Sequence, residues 1–229
     1  MNEKLDIITI GESLIELSTS SSLKTSECFS RNYGGDALVT AIAALRSGSN
    51  VGYITKVGND TFGEYLLSAW KSEGLESSLV KLTKGQNGIY FVGHDNNSRE
   101  YQYYRQKTAA STLGINDIDF DYIKKAKLIY TTGFVQSLSL STKECIQEIF
   151  KFAKENGVLT SYDPNCQKYG TGRDEALENF NMISDYIDIL FMETKDGEQL
   201  FETTSVNMLI TKLSDLGIKT IVIKDKETG

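Results

Sequence analysis

A chain of 229 residues with 40% hydrophobic and 24% charged side chains has the composition of an ordinary globule and is long enough to bury a large core. Its net charge of −7 argues against a nucleic-acid partner, because no basic stripe exists to displace phosphate counterions. Three scattered cysteines (Cys28, Cys145 and Cys166), one histidine and no stretch of ~18 apolar residues argue against a disulfide framework, a zinc site and a membrane span, and the expected location is cytoplasmic.

The first apolar run, residues 7–11 (IITIG), reads as a strand ending at Gly11-Glu12. Residues 12–34 then read as strands that stand apart from the main pattern. Gly34 and Gly35 precede a helix over 35–47, in which Leu38, Ala41, Ile42 and Leu45 fall on one face and Gly48 stands at the end. Two glycines let a ligand approach the backbone at a helix N-terminus, where free N–H groups point outward; the same pair also makes a tight turn. A second strand, 51–57 (VGYITKV), leads into Gly-Asn-Asp and Phe-Gly.

Residues 86–106 read as two more strands around the turn-rich segment 95–98. In the second of them, Arg99, Tyr101, Tyr103 and Arg105 share one face and Glu100, Gln102 and Tyr104 the other, so neither face is an ordinary core. Further apolar runs at 127–133, 158–163, 188–192 and 219–224 alternate with helical segments. One of these, 141–156, takes Ser141 as its N-cap with Glu144 three residues on. The alternation predicts an α/β, doubly wound, mostly parallel sheet with helices on both faces, plus a small β-strand lid from about 12–34 and 86–106.

This order of motifs resembles the ribokinase-like (PfkB) carbohydrate kinase family, and within it the 2-keto-3-deoxygluconate kinases. The resemblance rests on Gly11-Glu12, the Gly34-Gly35 helix, VGNDTFGEYL at 57–66, YYRQKTAAS at 103–111, TTGFVQSLS at 131–139, SYDPN at 161–165 and LFMETKDGEQLF at 190–201. It implies ATP-dependent phosphorylation of a sugar or sugar acid hydroxyl under a lid that excludes water, with Mg²⁺ beside the nucleotide phosphates. By the same resemblance Gly34, Gly35, Tyr90, Tyr104, Arg105 and Gln167 are expected at the substrate, and Asn165, Glu193, Asp196 and Lys224 near the nucleotide or magnesium. Arg105 is the expected partner of a substrate carboxylate. Glu193 and Asp196 also have a plain alternative, complementing the dipole of the helix they begin. The lid strands, with free edges and polar-aromatic faces, are expected to form a homodimer contact.

The chain also departs from the family pattern. Val39 stands where an asparagine is usual and cannot hydrogen-bond a hydroxyl, and Gln167 stands where the ketodeoxygluconate branch has an arginine. The Gly-Ala-Gly-Asp loop that carries the family's catalytic base is absent from the sequence, which ends at IVIKDKETG. The base is therefore expected beyond Gly229, and residues 1–229 read as one ribokinase-like domain lacking its C-terminal part. A non-catalytic sugar-binding protein, or a kinase for another sugar such as fructose or ribose, stay open as alternatives.

Overall fold

Each apolar run is too short for a buried helix and is bounded by glycine or polar turn residues, so it pairs as a strand. The computed structural model describes residues 4–95, 98–166 and 172–225. In chain order its strands are β1 (Leu5–Ile10), β2 (Leu14–Ser18), β3 (Ser30–Gly34), β4 (Val51–Gly58), β5 (Val80–Thr83), β6 (Gly88–Asp95), β7 (Ser98–Tyr104), β8 (Ala126–Thr132), β9 (Leu159–Asp163), β10 (Ile189–Glu193) and β11 (Thr220–Lys224). The α-helices are α1 (Asp36–Arg46), α2 (Thr61–Glu73), α3 (Phe120–Ile123), α4 (Gly133–Gln136), α5 (Leu140–Glu155), α6 (Arg173–Ile183), α7 (Thr194–Phe201) and α8 (Val206–Asp215). No helix among the described residues is long and apolar enough to cross a membrane.

Seven strands form one sheet in the order β11-β10-β9-β8-β1-β4-β5, every neighbouring pair parallel. Strand alternation divides its side chains between two cores. Val51, Tyr53 and Val57 of β4 pack with α1 and α2 on one face, where Tyr53 meets the fully buried Trp70 edge-on at 5.4 Å. Ile54 of β4 points the other way, joining Ile8, Ile129, Leu190 and the apolar faces of α5 to α8. The sheet is doubly wound, as expected. Its edge strand β5 has two exposed residues and carries too little apolar pattern to be read from sequence.

The chain runs outward from β1 through β4 to β5, then restarts on the other side of β1 with β8. That reversal opens a crevice at the C-terminal ends of β1 and β8, where parallel sheets commonly bind ligands. Above it lies the second sheet, in the order β3-β2-β6-β7. Its β2–β6 pair is parallel and its outer pairs antiparallel.

One helix start differs from expectation. Helix α5 begins at Leu140, capped by Ser139 rather than Ser141. The Ser139 hydroxyl accepts the Thr142 N–H at 3.1 Å and the Thr142 hydroxyl accepts the Ser139 N–H at 3.0 Å, while the Ser141 hydroxyl donates to the Leu113 carbonyl. The Gly-Asn-Asp…Phe-Gly segment is a structural clamp. Asp60 caps α2 by accepting the Gly63 N–H at 2.9 Å and also accepts from the Asn87 amide, whose oxygen takes the Gly58 N–H. A side chain at Gly63 would collide with the Gly58 carbonyl.

Candidate active site

A cavity of about 550 Å³ lies between the crevice of the main sheet and the inner face of the lid. Its floor is built by the first turn of α1 and the ends of β9 and β10. Asp36, Val39 and Thr40, spaced three and four residues apart, place one face of α1 along it. The Asn165 amide, on a residue with φ of 46°, donates to the Asp36 carboxylate at 2.6 Å and holds it in place. Asparagine tolerates this left-handed conformation better than most residues, which suits it to the sharp exit from β9.

Beside this pair, Lys224 at the end of β11 donates to Asp163 at 2.9 Å. Burial pushes the Asp163 carboxyl up to about 6 against the pull of Lys224, and its Oδ1 has no partner among the described residues. Glu193 lines the cavity as the N-cap of α7. Asp196 does not line it: one of its oxygens accepts the Cys166 N–H at 3.0 Å and the other the Glu193 N–H at 3.1 Å. That buried carboxylate ties the loop after β9 to the start of α7.

The roof is aromatic. Tyr90 donates a short hydrogen bond to Glu16, and its ring stacks on Tyr103 at 5.3 Å, which stacks in turn on Tyr101 at 6.3 Å. Burial and the neighbouring Glu16 carboxylate raise the Tyr90 phenol well above its ordinary value, so it remains a donor. Alternation along β7 gives the cavity Arg99, Tyr101 and Tyr103 and turns Tyr104 to the outer face, 61% exposed and edge-on to Phe91.

Arg105, just past β7, connects lid and body. Its Nε donates to Glu12 at 2.7 Å and Nη2 to the Phe134 carbonyl at 2.9 Å, and its guanidinium lies 3.4 Å from the centre of the Phe134 ring. Glu12 is buried, and desolvation raises its carboxyl to about 7 although Arg105 pulls it down.

Residues 4–229 match the pfkB family carbohydrate kinases. The chain belongs to the PfkB carbohydrate kinase family. It is 28% identical over 238 residues to a 5-dehydro-2-deoxygluconokinase of Clostridium perfringens, covering 99% of this chain and 70% of that protein. To a 2-dehydro-3-deoxygluconokinase of Thermoproteus tenax it is 27% identical over 227 residues, covering 96% and 69%. Among solved structures, a PfkB protein from Polaromonas sp. JS666 superposes with a TM-score of 0.91 at 27% identity, covering 98% of this chain and 78% of that one.

Of the positions that the PfkB resemblance singled out, the cavity wall contains Gly35, Tyr90, Asn165, Glu193 and Lys224. Gly34, Tyr104, Arg105 and Asp196 lie outside the wall, and Gln167 lies outside the described residues. The double glycine has a packing cause. A side chain at Gly34 would strike the Tyr90 hydroxyl, and one at Gly35, where φ is 129°, would strike the Glu12 carbonyl. Asp36, Glu16, Arg99, Tyr103 and Asp163 enter the site without having been singled out. The sequence carried a signal for two groups of them: Asp36 follows the glycine pair directly, and the period of two had placed Arg99, Tyr101 and Tyr103 on one face, together with Arg105, which lies past the end of β7 and outside the wall.

Proposed function

We propose that this chain binds a sugar acid of the keto-deoxy class, 2-keto-3-deoxygluconate first among them, for ATP-dependent phosphorylation of one of its hydroxyls. The observation that carries the reading is the polarity of the cavity: a carboxylate and amide floor at the start of α1 under a stacked tyrosine roof, at the switch point of a parallel sheet. Both curated relatives described above bear the names of deoxygluconokinases, which supports the substrate class.

In this reading Asp36, oriented by Asn165, accepts a sugar hydroxyl, and Tyr90, Tyr101 and Tyr103 cover the sugar and exclude water. Lys224 keeps Asp163 in place and directs positive charge toward the nucleotide phosphates. Magnesium fits the oxygen donors here: Asp163 Oδ1 is buried without a partner among the described residues, and Asn165 and Glu193 stand in the same wall. No group of three metal-binding side chains occurs among the described residues. When bound, Mg²⁺ supplies neutralisation of phosphate charge.

The free thiols of Cys28, Cys145 and Cys166 suit a reducing, cytoplasmic location. The outer lid face, with Phe29, Phe91 and Tyr104 in edge contact, supports a homodimer through the lid. The test of function is a panel of 2-keto-3-deoxygluconate, 5-keto-2-deoxygluconate, fructose and ribose, each measured for binding by calorimetry and for phosphorylation with Mg-ATP. Binding of a keto-deoxy acid by this chain is expected, and its phosphorylation once a C-terminal segment carrying the Gly-Ala-Gly-Asp loop is supplied. Preference for a neutral sugar overturns the substrate class, and binding without transfer by the chain so completed makes it a sugar-binding protein.

A further inference from the structure

Three basic side chains among the described residues line the cavity: Lys224 at the body end, and His94 and Arg99 on the lid. Lys224 is engaged by Asp163 at 2.9 Å. The cation that sequence reading assigned to a substrate carboxylate, Arg105, lies outside the wall and pairs with the buried Glu12. The body end is otherwise acidic, since Asp36, Asp163 and Glu193 share it. A bound carboxylate placed there would face like charges, which disfavours that orientation.

Among the described residues of the wall, the lid end carries Arg99 and His94 with one carboxylate, Glu16. Along the cavity face of β7, Tyr103 and Tyr101 form a stacked wall that ends at the exposed Arg99. Arg99 sits directly opposite His94 of β6 in the strand register, so two basic side chains meet at one end of the wall. Glu16 of β2 accepts the Tyr90 hydroxyl and also attracts Arg99, whose guanidinium interacts with the Tyr101 hydroxyl. A guanidinium presents a planar fork matched to a carboxylate, and it keeps its charge at all working pH values.

We propose that Arg99 is a specificity-determining residue that takes the carboxylate of the sugar acid, so that the distal hydroxyls point toward Asp36 and Asn165. The proposal rests on the sugar-acid reading above and adds to it the residue and the orientation. It also makes the lid, rather than the body, the element that distinguishes an acid from a neutral sugar.

The experiment is calorimetric binding of 2-keto-3-deoxygluconate, fructose and Mg-ATP to the full chain and to Arg99→Gln, Arg99→Lys and Arg105→Gln. Arg99 is exposed on the lid, so its variants are expected to keep the thermal midpoint of the parent. Arg99→Gln should weaken the acid at least tenfold, leave fructose and Mg-ATP within twofold, and be partly rescued by Arg99→Lys. Unchanged acid binding in Arg99→Gln overturns the proposal while the sugar-acid reading stands, as does an equal loss of Mg-ATP, which would give Arg99 to the phosphates. Failure of the parent chain to bind any sugar acid overturns both.

Discussion

Replacing Arg105 with methionine tests whether this side chain is a latch between lid and body. In the parent, the Glu12 carboxyl is 1% exposed and Arg105 is 15% exposed, so the pair is largely withdrawn from water. Burial raises Glu12 to about 7, and Arg105 is the largest influence pulling it back. Without that cation the carboxyl rises further, toward the range of roughly 8 to 9 known for isolated buried glutamates. Below pH 6 Glu12 is protonated in both proteins, and the variant loses the contacts to Phe134 and the hydrogen bond to an uncharged carboxyl, about 1–2 kcal/mol. Above pH 7 the parent ionises Glu12 and the variant does not, so the parent's advantage grows by up to about 1.4 kcal/mol per pH unit. From pH 6 to 8.5 the destabilisation should therefore widen by about 2 kcal/mol, reaching about 3–4 kcal/mol, the range for breaking a buried pair. Urea unfolding at pH 6, 7, 7.75 and 8.5 measures it, and repeating the series in a Glu12→Gln background should flatten the slope. A destabilisation that does not change with pH, or a slope that survives Glu12→Gln, refutes the latch.

Lys224→Met should push Asp163 above its value of about 6, so the variant loses stability relative to the parent as pH rises from 6 to 8; a constant difference across that range counts against the pairing. Val39, 58% exposed on the cavity face of α1, offers no partner to a hydroxyl. Val39→Asn should improve binding of 2-ketogluconate relative to its 3-deoxy analogue by roughly tenfold, and calorimetry showing no change in the ratio would remove Val39 from the substrate. Tyr104→Ser, on the outer lid face, should shift sedimentation toward monomer; a parent already monomeric at micromolar concentration ends the dimer proposal. Trp70 is fully buried with its indole N–H unpartnered among the described residues, so Trp70→Phe should cost about 1–2 kcal/mol where Trp70→Ala costs about 3–5 kcal/mol in urea unfolding.

The doubly wound sheet was legible because strand and helix periods are local properties. The runs at 51–57 and 188–192 and the helix face Leu38, Ala41, Ile42 and Leu45 state their own geometry. The two faces of β7 were legible for the same reason, since a period of two sorts Arg99, Tyr101 and Tyr103 from Tyr104, but not which of them faces the cavity: Tyr104 was expected there and lies outside it. The sequence also held the family, because its motifs are short and contiguous.

What each charged residue does was not legible. Nothing near Arg105 announces Glu12, 93 positions earlier, and nothing near Asp36 announces Asn165, 129 positions later. A sequence lists the cations that could meet a carboxylate, but the pairing depends on which groups share a low-dielectric interior. There an unpaired charge is costly and the nearest opposite charge is taken. The chain order determined the strands, the faces and the family. Only the packing of lid against body decided which face of β7 lines the cavity and that Arg105 would hold Glu12, because desolvation and distance are properties of the folded whole.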